Sequence, residues 1–488
     1  MFFLKFPVSG RRATALAAAL ALAGCASAPP EAPRQAVAAA LAGRTGAVAI
    51  GADDLPTVAP PPSVATPDAR IDALLAQPLS DAAAVRIAVL RHPQMQALFA
   101  ELQIGQADAE LGALLPNPRL ALGRLTEGDH RELDRSLRWD VLGLLTLPWR
   151  LRAAERAQAA AQLQAAQRVI VLAAQARNAW IEAVAATQIA RHTRQAQDAA
   201  EAAMELGRRM VRAGNWSAFQ LAQTELALGE ARQRSLQADH AATLARERLA
   251  RAMGLAGQGE RLRLPERLPD LPAALPLDEA RAEQRALAER LDLRSAQAQT
   301  QQLAQALGAT RGTRPIDALD LTLRDNRISD PTGSARQRGW EVELPLPLFD
   351  TGAARIDRAQ AQLALAQARE RDVAEQARSE VRSAWSLWRS AHAQARHWRD
   401  DLVPLRQRLT DETLLRYNGM LASPWDVLTQ AGAQSAAVAS AIAAERDFWL
   451  ADTELQTALT GTSPRALERL GALAAPDAAA AAPAAAAH

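Results

Sequence analysis

The chain has 488 residues, a formal net charge of +2, 49% hydrophobic residues and a single cysteine. Near-neutral charge gives no reason to invoke nucleic acid, and one cysteine excludes a disulfide within the chain. Beyond the N-terminus there is no run of about twenty apolar residues, so no transmembrane helix is expected, although a β-barrel stays open as a way to cross a membrane.

In chain order, residues 1–24 read as a targeting segment. Lys5, Arg11 and Arg12 give a positive start, Ala13 to Leu22 an apolar centre, and Leu22-Ala23-Gly24-Cys25 places the cysteine directly after small residues. That arrangement resembles the bacterial lipobox, in which the cysteine receives lipid, palmitate included, and becomes the mature N-terminus. Ala26 at the next position, where an Asp would retain the protein at the inner membrane, implies sorting to the outer membrane. Residues 25–80, rich in Ala and Pro, read as an extended leader with little regular structure.

From Asp81, a candidate N-cap, helical sequence runs to Leu115 with one interruption at His92-Pro93, and Pro116-Asn117-Pro118 stops it. Two strands are predicted over Arg119 to Leu125 and Ser136 to Leu145. In the second, Leu137, Trp139 and Val141 alternate with Arg138 and Asp140. Next comes a helix over Leu151 to Arg212, roughly 90 Å long if continuous, then a reversal near Gly214 and a helix over Ser217 to Met253. Gly254 to Leu277, with Pro265, Pro269, Pro272 and Pro276, reads as a linker.

The same order then repeats about two hundred residues on. Trp139-Asp140-Val141-Leu142 returns as Trp340-Glu341-Val342-Glu343, Arg177-Asn178-Ala179-Trp180 as Arg382-Ser383-Ala384-Trp385, and the turn at Gly214 as a turn at Gly419. The second strand pair shows the same period of two, with Leu319, Leu321 and Leu323, then Trp340, Val342, Leu344 and Leu346, on one face. Asp320, Thr322 and Arg324, then Glu341 and Glu343, fall on the other. The second long helix, Ala353 to Tyr417, carries Pro404, which predicts a kink about one turn away. Pro424 to Thr460 forms the return helix, stopped by Gly461, and residues 462–488 form a low-complexity tail.

Any one strand pair suits an amphipathic hairpin on a soluble protein. Two equivalent pairs beside a lipobox favour a membrane barrel with a lipid-facing exterior and a polar lumen. Four strands cannot close a barrel, and open edges are not tolerated in lipid, so several chains must pool their strands.

The chain resembles the TolC-like outer-membrane efflux channels over Asp81 to Gly461. The resemblance is carried by Leu115-Pro116-Asn117-Pro118, by Leu344-Pro345-Leu346-Pro347-Leu348-Phe349-Asp350-Thr351-Gly352, and by Tyr417-Asn418-Gly419-Met420 followed by Ser423-Pro424-Trp425-Asp426-Val427-Leu428. It implies a mainly α fold with a small β portion, built from two repeats, residues 81–253 and 278–461, joined by the linker 254–277. It further implies a homotrimer, with a 12-stranded outer-membrane β-barrel continued by a 12-helix periplasmic α-barrel.

The implied function is the exit duct of a tripartite efflux system, lipid-anchored in the outer membrane and coupled through a periplasmic adaptor to an inner-membrane pump of the RND type. The segment around Tyr417 is similar to channels of the heavy-metal branch. Gly214, Ser217, Gly419 and Ser423 fall where the family's periplasmic tip meets the adaptor. Asp426 and Tyr417 match gate positions. The bland readings stand beside these: Asp426 as a helix N-terminal acid held by the dipole, Tyr417 as a packing ring, and the glycines as turn residues.

Asp140, Asp320, Glu341 and Glu343 are expected to face the lumen, with Arg138 and Arg324 as counter-charges. The seven histidines are scattered, and no nucleophile, metal or phosphate-loop pattern is present, so neither an enzyme nor a cofactor is expected. The competing reading is a lipid-anchored coiled-coil envelope scaffold without a channel.

Overall fold

The computed structural model describes residues 32–45, 48–56, 69–114, 116–273, 278–312, 318–346 and 348–461. The lipidation candidate Cys25, the targeting segment and the tail lie outside the described residues.

The leader departs from the sequence expectation. Helices α1 (Ala32–Leu41) and α2 (Ala69–Leu75), with a 3-10 turn at Ala52–Asp54 between them, fold onto the body. Val37, Leu41, Val48, Ile50 and Leu55 join one core cluster with Phe99, Val169, Ile170 and Leu291. These few branched side chains supply the burial that the surrounding Ala and Pro cannot.

Helix α3 (Asp81–Arg91) is capped not by Asp81 but by Ser80, whose hydroxyl accepts from the Ala83 N–H at 3.1 Å. The break at His92 leads into α4 (Pro93–Ala113), as Pro93 at the first helical position predicts.

Strand β1 (Arg119–Glu127) turns at Gly128-Asp129 into β2 (His130–Asp140). The second strand therefore begins earlier than its alternation near Trp139 suggested, and it ends at Asp140. Val141 to Leu145 are helical, because the Asp140 carboxylate accepts from the Gly143 N–H at 2.7 Å and caps α5 (Val141–Arg212). A Cβ on Gly143 would collide with Asp140 Oδ2 and lie 2.8 Å from Pro116 Cγ, so only glycine fits between this cap and the Pro116-Asn117-Pro118 stop.

Helix α5 spans 72 residues, about 108 Å at 1.5 Å per residue. Helix α6 (Ala218–Ala252) returns along it. The proline-rich linker is packed rather than free: Leu255, Leu262 and Leu268 are buried, the His392 ring meets the Pro272 carbonyl at 2.8 Å, and the Trp449 indole donates to the Pro269 carbonyl at 3.1 Å.

The second half runs α7 (Glu279–Glu289), α8 (Leu291–Gly312), β3 (Asp320–Asp330), β4 (Gly333–Glu343), α9 (Ala353–His397), α10 (Val403–Asn418) and α11 (Pro424–Thr460). Between α9 and α10 the backbone takes one π-helical turn, Trp398–Leu402, with the Val403 N–H donating to the Trp398 carbonyl. Pro404 lacks an N–H, and the wider turn absorbs that defect where the sequence predicted a kink.

The four strands form one antiparallel sheet in the order β1-β2-β3-β4, and the two hairpins meet through β2 and β3. The long helices pack as antiparallel pairs, α5 with α6 and α9–α10 with α11, and α11 also lies against α5.

The two halves are locked together by buried charge. Arg177 reaches Asp81 at 3.5 Å and Asp452 at 3.4 Å, while Trp388 donates to Asp452 at 3.1 Å. Burial pushes the Asp452 carboxyl up, against the opposing pull of Arg177 and Trp388. Within the second half, Arg290, fully buried, holds Asp292 at 2.6 Å, Glu380 at 2.9 Å and the Ala458 carbonyl at 2.9 Å.

Candidate functional site

Two regions could carry function: the sheet at one end of the long helices and the helical turns at the other. In the sheet, strand alternation and register put Leu120, Leu122, Leu137, Trp139, Leu321, Leu323, Trp340 and Val342 on one face. Large apolar side chains on that face are open to the surroundings, with Trp340 74% exposed. Continuous with them, Leu344, Leu346, Leu348 and Phe349 after β4 are also exposed.

On the opposite face, Arg138 lies 3.3 Å from Glu343 and 3.9 Å from Asp320, and its Nε donates to Thr322 at 3.3 Å. Arg324 meets Glu341 at 2.5 Å. The expected counter-charges are therefore in place. Asp140 shares this face by alternation, and its carboxylate is taken up in capping α5.

The hairpin ends hold what the sequence reading missed. On the apolar face, beyond the leucines and tryptophans, alternation brings Arg124, Arg131, Arg135, Arg327, Arg336 and Arg338 together, with Asp325 among them. The signal was present in Arg131, Leu133, Arg135, Leu137 and Trp139, all of one parity, but starting the strand at Ser136 cut it off.

At the other end, the turn between α5 and α6 and the turn between α10 and α11 match bond for bond. Ala213 donates to Arg209 as Gly419 does to Leu415, both at 3.0 Å. Asn215 donates to Met210 at 2.9 Å as Leu421 does to Arg416 at 2.8 Å, the long bond of a Schellman motif. The left-handed residue is Gly214 (φ +77°) in the first turn and Met420 (φ +59°) in the second. Gly419, at φ −83°, does not fill the left-handed role that its likeness to Gly214 suggested, so the pairing of the two turns moves by one residue.

Both return helices open with a capping box. Ser217 exchanges bonds with Gln220 at 2.9 and 3.3 Å, and Ser423 with Asp426 at 2.8 and 3.2 Å. Gln220 and Asp426 are thus equivalents in role. The Ser423 backbone and hydroxyl hold the Asp426 carboxyl below the usual carboxylate range. Tyr417 is half-buried in the last turn of α10, and its carbonyl accepts from the Met420 N–H at 3.0 Å.

The turns differ in what covers them. Trp216, 9% exposed, lies across Gly207, where a Cβ would sit 2.9 Å from the ring. The second turn leaves Met420 94% and Leu421 81% exposed.

A mainly helical chain with long antiparallel helices and a four-stranded antiparallel sheet at one end has the fold of the TolC-like outer-membrane channels. No protein-family model matches the chain, and no curated protein matches it by sequence. Among solved structures it is similar to CusC, with a TM-score of 0.63 and 15% identity over 81% of this chain and 93% of that one. A membrane protein from Pseudomonas aeruginosa matches with a TM-score of 0.66 and 17% identity over 80% and 94%. The outer membrane protein VceC from Vibrio cholerae matches with a TM-score of 0.62 and 17% identity over 78% and 95%. At these identities the likeness is one of fold.

Proposed function

We propose that this protein is the outer-membrane channel of an efflux system, a passive duct that carries out no chemistry. The observation that carries this reading is the two-faced sheet, exposed and apolar on one side, charged and internally paired on the other. In water such an apolar face would be a liability; against lipid it is the required exterior. The sheet ends in β1 and β4, whose outer edges have no partner strand among the described residues. Open edges cannot stand in a bilayer, so strands from further copies complete them. Three chains of four strands give twelve, and their helical hairpins continue the tube through the periplasm.

On this reading Gly214, Ser217, Gly419 and Ser423 form the tip that meets a periplasmic adaptor, and an inner-membrane pump supplies the energy. Asp426, repeated around the axis, lines the narrow end with carboxylates that favour cations, with Tyr417 beside it. Cys25 carries the lipid anchor.

The mass of the detergent-solubilised protein, corrected for bound detergent, tests the assembly. Three copies are expected. A monomer that stays soluble once detergent is removed would instead favour the lipid-anchored scaffold.

A further inference from the structure

We propose that the outward face of the sheet, at its hairpin end, binds the phosphorylated headgroups of the surrounding lipid leaflet. This rests on the membrane reading given above. Six arginines share that face at that level: Arg124, Arg131 and Arg135 on the first hairpin, Arg327, Arg336 and Arg338 on the second. The single carboxylate that alternation places among them, Asp325, holds Arg336 at 2.5 Å and Arg338 at 3.7 Å.

At the same height on the opposite face stand Glu127, Glu132 and Asp134. The two ends of the hairpins are thus sorted by sign, acidic inward and basic outward. Solubility alone would be served by mixed charge, and it does not explain sorting.

The clustering also has a cost. Arg327 stands directly opposite Arg336, and like charges in cross-strand register destabilise a sheet. A multivalent anion bridging them removes that cost. Guanidinium forks bind phosphate oxygens in pairs, which suits arginine here better than lysine.

The rest of the face indicates a lipid rather than a free anion. Leu122 precedes Arg124 by two residues, Leu133 lies between Arg131 and Arg135, and Trp340 follows Arg338 by two. Each is about 7 Å along its strand from an arginine, on the same side. A ligand with a phosphate at the arginines and acyl chains along the leucines fits both parts. An arginine facing lipid is costly at the bilayer midplane and cheap at the interface, so this rim also sets the depth at which the barrel sits.

The test compares diphosphoryl lipid A with the same lipid stripped of its phosphates, each titrated onto the full-length protein in detergent. Wild type is expected to bind the phosphorylated form at least about tenfold more tightly at low salt, with the preference shrinking as salt rises. The variant R124Q/R131Q/R135Q/R327Q, which keeps the Asp325 pairs, is expected to lose that preference, and the corresponding lysine variant to keep part of it.

Equal binding of the two lipids by wild type would overturn the proposal whether or not the variants fold. So would an unchanged preference in the glutamine variant. Displacement of the lipid by equimolar inorganic phosphate would assign the site to a free anion and reject the lipid. Insertion into a planar bilayer, measured on the same preparation, separates the two levels. A wild type that inserts and conducts without preferring the phosphorylated lipid refutes this inference alone, whereas one that fails to insert refutes the membrane reading beneath it.

Discussion

The two helical turns share one backbone design and differ in everything laid over it. The first turn has glycine at its left-handed position, a tryptophan folded over Gly207 and a neutral capping box. The second has methionine at that position, two bare apolar side chains and a box closed by a carboxylate. The helix leading into the first turn is continuous for 72 residues, while the one leading into the second is interrupted by a π turn. The backbone bonds build the same reversal twice; the side chains make one turn settled and the other strained, exposed and titratable. On the channel reading, the second is where partner contact and gating concentrate.

The largest expected effect breaks the cover on the first turn. Gly207→Leu forces the Trp216 ring away, and overpacking of this kind costs about 1–3 kcal/mol. Thr413→Leu, at the matching place before the second turn, where Ala422 stands in for the tryptophan, is expected to change little. Amide exchange in the two turns reads both effects locally.

The left-handed positions come next. Gly214→Ala imposes about 1–2 kcal/mol of backbone strain on the first turn. Met420→Gly relieves that strain in the second but adds unfolded-chain entropy, so a net gain below about 1 kcal/mol is expected. Opposite signs in the same exchange experiment confirm the one-residue shift between the turns; equal losses would restore the pairing of Gly214 with Gly419.

Ser217→Ala and Ser423→Ala each remove a cap and are expected to cost about 1 kcal/mol, fraying the first turns of α6 and α11.

The smallest effect concerns pH. The folded Asp426 carboxyl titrates below its ordinary value of about 4, so its box contributes fully above that value. The contribution is lost as pH falls through the lowered value. Corrected for intrinsic exchange, protection of the Ser423 amide is expected to drop in that acidic window, while that of Ser217, bonded to Gln220, holds.

Much of this architecture was legible in the sequence, and its failures have physical causes. Proline stops and the kink expected near Pro404, which takes the form of a π turn, follow from local rules, whereas the first long helix starts at Val141 and not Leu151, and α3 is capped by Ser80 and not Asp81. The hairpin ends were missed because arginine on an outward face reads as loop unless the alternation is followed past the leucines. The leader was misread because Val37, Leu41, Val48 and Ile50 are few among many alanines, and their worth lies in the distant helix they cover. Val141 continues the strand's alternation in sequence, and Leu142, Leu144 and Leu145 prolong its apolar run. Only the Asp140 cap, closed against Gly143 and Pro116, ends the strand there.

If this fold makes a conducting path, the full-length protein carries current across a planar bilayer. Discrete unitary steps with a cation preference are expected, the steps themselves growing when Asp426→Ala removes the carboxylates from the narrow end. A trimeric, detergent-dependent protein that inserts and yet never conducts, even with Asp426→Ala, would contradict it.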